Sequence, residues 1–118
     1  MRPLVLQDLG GMPYEDALAV QYATVEAVHK GVSEDTLLLV EHPAVFTLGR
    51  RRTAAGNVLM PGDTPVVQVE RGGDVTWHGP GQLVAYPILS LQEEERDVHG
   101  VLRALERAVV EVLALHGL

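Results

Sequence analysis

Thr36-Leu37-Leu38-Leu39-Val40-Glu41 is the stretch that most limits what this chain can become. A continuous apolar run of strand length has no polar face to give to water, so it needs cover on both sides. That requires a layered protein in which helices or a second sheet pack over this strand. Pro43 ends the run, and Val45-Phe46-Thr47-Leu48 resumes an extended path.

The remaining segments supply the cover. Leu4 to Leu9 reads as a short strand closed by Gly10-Gly11. Pro13 suits a first helical turn, with Glu15 and Asp16 near its positive end. Tyr14, Leu18, Tyr22, Val25 and Val28 then recur at helical spacing, and Lys30-Gly31 gives a basic last turn and a stop. The spacing predicts a helix from Pro13 to Lys30. Gly49 to Pro65 is a loop, long enough to suggest a working segment rather than a passive link. Val66-Val67-Gln68-Val69, Asp74 to His78 and Gln82 to Leu89 read as strands, separated by Gly72-Gly73 and Gly79-Pro80-Gly81. Pro87 cannot donate to a ladder, which puts the last of these at an edge. Glu93-Glu94-Glu95 is a solvated turn, and Asp97 opens a second helix with Val98, Leu102, Leu105, Val109, Val112 and Leu113 on one side and Gly117 as its stop. The order β-α-β-β-β-β-α indicates an α/β or α+β protein, a mixed sheet flanked by helices.

At 118 residues the chain supports one domain. Acidic residues outnumber basic ones by 16 to 9, a net charge of −7 that repels phosphate backbones and argues against a nucleic-acid partner. Aromatic residues are 4% of the chain, so the core must be Val, Leu and Ala, and stacking on nucleobases is not the main activity. No apolar run approaches membrane length, so no membrane partner is expected and the cytoplasm is the default location. The absence of cysteine excludes disulfides, thiolate zinc sites and a thiol nucleophile within these residues.

Chemistry concentrates between Glu70 and Gln82. Glycines there let backbone N–H groups approach a ligand closely. In an extended Asp74 to His78, Asp74, Thr76 and His78 share one face, and Val75 and Trp77 the other. The first face is a row of hydrogen-bonding groups and the second is core. Gly79-Pro80-Gly81 turns the chain and holds His78, an imidazole suited to proton handling near neutrality, at the rim. Local chemistry alone is also met by a plain twisted hairpin with glycine turns. His42 and His78 find no second histidine or carboxylate at helical ligand spacing, so no metal site is expected. His42, before Pro43, reads as a strand-end hydrogen bonder, and His29, His99 and His116 as incidental helix residues.

Arg71-Gly72-Gly73-Asp74-Val75-Thr76-Trp77-His78-Gly79-Pro80-Gly81-Gln82-Leu83-Val84-Ala85-Tyr86-Pro87 resembles the signature of the lipoyl(octanoyl) transferases, the lipoate-protein ligase B type. Leu39 to Gly49 and Pro61 to Gln68 are similar to the same family in order and spacing. The resemblance implies a biotin/lipoate ligase type of catalytic-domain fold, incomplete here, with residues 1–118 as the N-terminal portion of a single catalytic domain. It implies transfer of an octanoyl group from acyl carrier protein to a lysine on the lipoyl domains of lipoate-dependent enzymes. The donor would be carried on the carrier protein's phosphopantetheine, with no resident cofactor. Arg71, Gly72, Gly73, Asp74, Val75, Thr76, Trp77 and His78 would form the substrate-binding wall, with an apolar slot worth about 0.8 kcal/mol per buried CH₂. The family's acyl-thioester cysteine and its lysine would lie beyond Leu118, since Lys30 caps a helix. A chain so divided is expected to leave an apolar face open.

Arg50, Arg51 and Arg52 form a basic spot on an acidic chain, either a dock for the carrier protein or its phosphate, or a solvated loop. Two alternatives stand beside the transferase. One is an ATP-dependent lipoate or biotin ligase of the same fold, whose arginine loop Gly49-Arg50-Arg51 faintly resembles. The other is a non-catalytic module that binds acyl groups.

Overall fold

The computed structural model describes residues 2–51, 54–58 and 61–118. Its elements run β1 (Leu4–Gly11), α1 (Tyr14–His29), β2 (Asp35–Glu41), β3 (Val45–Leu48), β4 (Val66–Gln68), β5 (Val75–His78), β6 (Val84–Ile88) and α2 (Val98–Leu115), with 3₁₀ turns at Ala55–Asn57 and Glu93–Glu95. The class is mixed α+β, but the strands divide into two sheets of three rather than one. One has the order β1-β2-β6 and the other β4-β3-β5. Each combines a parallel and an antiparallel pair. Val45–Leu48 is a full strand at the centre of the second sheet, which adds one strand to the order read from the sequence.

The apolar run takes the central place in its sheet, but only one of its faces is fully covered, since Leu37 and Leu39 on the other are half-buried. Leu38 and Val40 on β2 are 0% and 1% exposed. Leu38 packs with Val28 of α1 and Ile88 of β6, and Leu9, Val20 and Tyr86 close around them. β1 runs through Gly10 and Gly11 instead of stopping there, with a register irregularity between Asp8 and Gly11. Gly10 adopts φ +64°, a conformation a side chain would strain. Pro87 lies opposite Leu37 on β6, an edge strand, where its missing N–H costs no ladder bond.

The two helices behave differently. α1 buries Ala17 and Val28 against the first sheet. α2 buries no residue, and Leu102, Val109, Val112 and Leu113 are exposed along it. The sheets are therefore flanked by one packed helix, and the second carries an open apolar stripe. The Cα radius of gyration, 15.7 Å, agrees with that, since a closed domain of this length would come to about 13.5 Å.

Candidate functional site

The seam between the two sheets brings together four rings from distant parts of the chain. Tyr14 comes from the first turn of α1, His42 follows β2, His78 ends β5 and Tyr86 lies on β6. The His42 ring centroid is 5.3 Å from Tyr14, 5.6 Å from His78 and 6.0 Å from Tyr86. The Tyr14 and His78 rings are nearly parallel, at 12° and 6.3 Å.

His42 is 1% exposed and has both ring nitrogens occupied. Nδ1 lies 2.9 Å from the Met12 carbonyl, which can only accept, so Nδ1 carries the proton. Nε2, 2.9 Å from the Tyr86 hydroxyl, then accepts from it. Burial lowers the His42 pKa below the ordinary imidazole value, against the upward pull of the Met12 carbonyl, and His78 lowers it further. Burial also pushes the Tyr86 phenol up to about 12, with neighbouring Tyr14 adding to it and Gln21 opposing, so Tyr86 remains a donor. Tyr14 is raised by burial too, against the nearby Arg71 charge.

His78 is held from the other side. Its Nδ1 lies 2.6 Å from Gln82 Oε1. The Gly79-Pro80-Gly81-Gln82 turn closes with Gln82 N–H donating to the Gly79 carbonyl at 3.1 Å. Pro80 occupies its second position and Gly81 its third, at φ +87°, the pattern of a type II turn. Gly81 N–H donates to Glu41 Oε1 at 2.9 Å, which ties the turn back to β2.

The other end of β5 is organised by Arg71. Its guanidinium donates to the carbonyls of Gly72, Asp74 and Thr47 at 3.0, 2.8 and 2.8 Å, and to Thr47 Oγ1 at 2.9 Å. Main-chain bonds from Gly49 to Asp74, Arg50 to Arg71 and Arg51 to Gly73, each 3.0 Å, continue the pairing past β3. Gly49 permits this approach, because a Cβ there would collide with the Gly73 carbonyl and come within 2.7 Å of Arg71 Nη1. Asp74 accepts from Asn57 at 2.6 Å and from Val75 N–H at 2.8 Å, and Arg51 lies 3.6 Å away. Those partners, Asn57 first, hold its carboxyl below the usual carboxylate range.

Between α1 and the Val69 to Arg71 segment runs a cleft of about 380 Å³, within the usual range for ligand sites. Tyr14, Leu18 and Tyr22 form its helical wall, Val69 and Arg71 face them, and Tyr86 joins it to the ring cluster. Tyr22 and Glu70 both line it, and the Tyr22 pKa is raised by desolvation and by that carboxylate. A wider groove, about 540 Å³, lies between Val25, Val28 and Ile88 to Leu91, away from the cluster.

The predicted wall is thus split. Arg71 lines the cleft and His78 belongs to the ring cluster. Gly72 and Gly73 are exposed, the first beside Arg50 and the second beside Arg71, and their N–H groups donate to no backbone carbonyl among the described residues. Asp74 turns to Asn57 and Arg51. Val75 is half-buried and Thr76 exposed. Trp77, expected in the core, is 44% exposed. Its six-membered ring lies over Gly79, where a Cβ would collide with it and stand 3.0 Å from Cε2. β5 is an edge strand of a small sheet, so its outer face has no layer to pack against. Arg51 shares its charge with Asp74, and Arg50 is exposed. Arg52 lies outside the described residues. His42 is the hydrogen bonder expected, but it also belongs to the cluster. Tyr14, Tyr86 and Gln82 were not singled out from the sequence. A signal was available, because all three tyrosines of this aromatic-poor chain border the cleft.

A layered α+β domain with a part-apolar cleft beside a His/Tyr cluster is the class of protein that fold and site define. The model of the lipoyl protein ligase A/B catalytic domain matches residues 13–118. Among curated proteins, an octanoyltransferase of Geobacter metallireducens is 48% identical over 114 residues, covering 97% of this chain and 53% of that protein. One from Geobacter sulfurreducens is 50% identical over 110 residues, covering 93% and 46%. One from Myxococcus xanthus is 44% identical over 123 residues, covering 100% and 34%. The chain spans about half the length of the two Geobacter relatives. It belongs to the lipoyl protein ligase A/B catalytic domain family.

Proposed function

We propose that this chain provides the acyl-binding side of an octanoyltransferase, one that moves an octanoyl group from acyl carrier protein to a lysine of a lipoyl domain. The observation that carries the reading is the cleft beside the ring cluster, in a chain nearly half identical to octanoyltransferases along almost its whole length. The octanoyl tail lies between Leu18 and Val69, in contact with the tyrosine rings, and each buried CH₂ contributes about 0.8 kcal/mol. Arg71 stands at the cleft's edge and His78 near the carbonyl end. Together Arg71 to His78 form the substrate-binding wall, reached from two ends of β5.

The donor arrives on the phosphopantetheine of the carrier protein, and no resident cofactor is required. The exposed Arg50, with Arg51 and Arg52, meets acidic groups of that partner. The reaction belongs to the cytoplasm; no helix among the described residues is long and apolar enough to cross a membrane. These 118 residues hold no cysteine, so the sulfur of a thioester intermediate comes from elsewhere.

A chimera tests the reading. This chain replaces the matching segment of the Geobacter metallireducens octanoyltransferase, and folding is checked by thermal melting. Given octanoyl-carrier protein and a lipoyl domain without ATP, the folded chimera should add an octanoyl mass to the acceptor, and this chain alone should add none. A folded chimera that transfers only when ATP and free octanoate are supplied would favour the ligase alternative.

A further inference from the structure

We infer that Gln82 is a positioning residue that fixes His78 in the tautomer with its proton on Nδ1 and its lone pair on Nε2. The inference rests on the reading that His78 faces the acyl carbonyl, and it supplies what that reading lacks, the nitrogen that acts. Gln82 Nε2 donates to the Trp77 carbonyl at 3.2 Å. A carbonyl can only accept, so the Gln82 amide nitrogen must face Trp77 and its oxygen must face His78. That oxygen lies 2.6 Å from His78 Nδ1. An amide oxygen has no proton to give, so Nδ1 provides it, and in the neutral ring Nε2 is left bare.

The backbone makes the arrangement stiff. Gln82 is the last residue of the type II turn, whose Gly79 carbonyl accepts its N–H at 3.1 Å. Glu41 anchors the same turn through Gly81 N–H. The side chain therefore has a fixed origin four residues from the ring it orients.

The comparison with His42 gives the assignment its consequence. In His42 both nitrogens are used inside the protein, by the Met12 carbonyl and the Tyr86 hydroxyl. Of these two neighbouring imidazoles, only His78 keeps a nitrogen without a partner among the described residues. His78 Nε2 is thus the nitrogen that can accept a proton or a hydrogen bond from a group reaching the ring cluster, and His42 is a fixed support beside it.

The test reads the tautomer directly and needs no substrate. Long-range proton–nitrogen correlation spectra of the labelled chain, at alkaline pH, distinguish a protonated Nδ1 from a protonated Nε2. The chain as it stands should show Nδ1–H at His78. Gln82→Glu, whose carboxylate also only accepts, should keep it. Gln82→Leu should shift the tautomer ratio roughly five- to tenfold toward Nε2–H, the equivalent of one lost hydrogen bond. If Gln82→Leu fails to fold, Gln82→Asn, one methylene too short to reach the ring, should show the same shift. An unchanged tautomer in the folded variant, or Nε2–H in the unaltered chain, would overturn the inference. Failure of octanoyl binding with the tautomer as described would count against the function reading instead.

Discussion

The two ends of β5 are built on different physics. At the arginine end, an exposed guanidinium and a set of main-chain bonds pin a glycine loop to the continuation of β3. At the histidine end, a buried imidazole is gripped by groups from α1's entry and β6, and a second imidazole is held by a turn. The first stays within one sheet and is only partly shielded from water, and the second joins both sheets. On the proposed function, the histidine end supports the structure as well as the site, and the arginine end shapes the site at smaller cost to stability.

Removing His42 should therefore have the largest effect. His42→Leu leaves the Met12 carbonyl and the Tyr86 hydroxyl without partners at a buried position. A loss of about 3 kcal/mol in unfolding free energy by urea titration is expected. A loss below about 1 kcal/mol would erase the contrast between the ends. At the arginine end, Gly49→Ala places a methyl group against the Gly73 carbonyl and forces the loop off β3. About 2 kcal/mol is expected there. Arg71→Met, which removes two exposed hydrogen bonds and two part-buried ones to Thr47 but leaves the backbone pairing, should cost about 1.5 kcal/mol and weaken octanoyl binding more than it weakens the fold.

A smaller effect separates the ends by pH. His42 is held neutral in the folded protein, with its pKa below the ordinary value of 6.5. The unfolded chain takes up the proton first as pH falls, so the contribution of His42 is complete above that value. It is lost as pH drops through 6.5 toward the lower folded-state value. Thermal melting across this window should show a decline that His42→Asn reduces and Arg71→Met leaves unchanged. Equal slopes in all three proteins would mean that His42 is not the group responsible.

How much of this was legible in the sequence follows from which features are local. The β2 run announced its central place but not that one of its faces would be only half-covered, and α1 and α2 were both readable from apolar spacing. Periodicity states that a helix has an apolar side but not what covers it, so α1 and α2 looked alike until one packed and the other did not. The division into two sheets was hidden for the same reason, since a strand's residues do not name its neighbour. His78 was readable because the glycine turn beside it is a local signal. Tyr14 and His42 meet it, and Tyr86 meets His42, only through tertiary pairing, across up to 64 residues of chain. Trp77 misled because alternation along a strand predicts two faces without saying whether the second has a layer to bury it.

The central claim is that the cleft beside the four rings receives the acyl chain. Amide chemical-shift mapping with octanoyl-pantetheine tests it most directly. Shifts should concentrate at Tyr14, Leu18, Val69, Arg71 and His78, and shortening the acyl chain should weaken them by about fourfold per CH₂ removed. Shifts confined to Val25, Ile88 and Leu89 in the wider groove, or no saturable shifts at all, would contradict it.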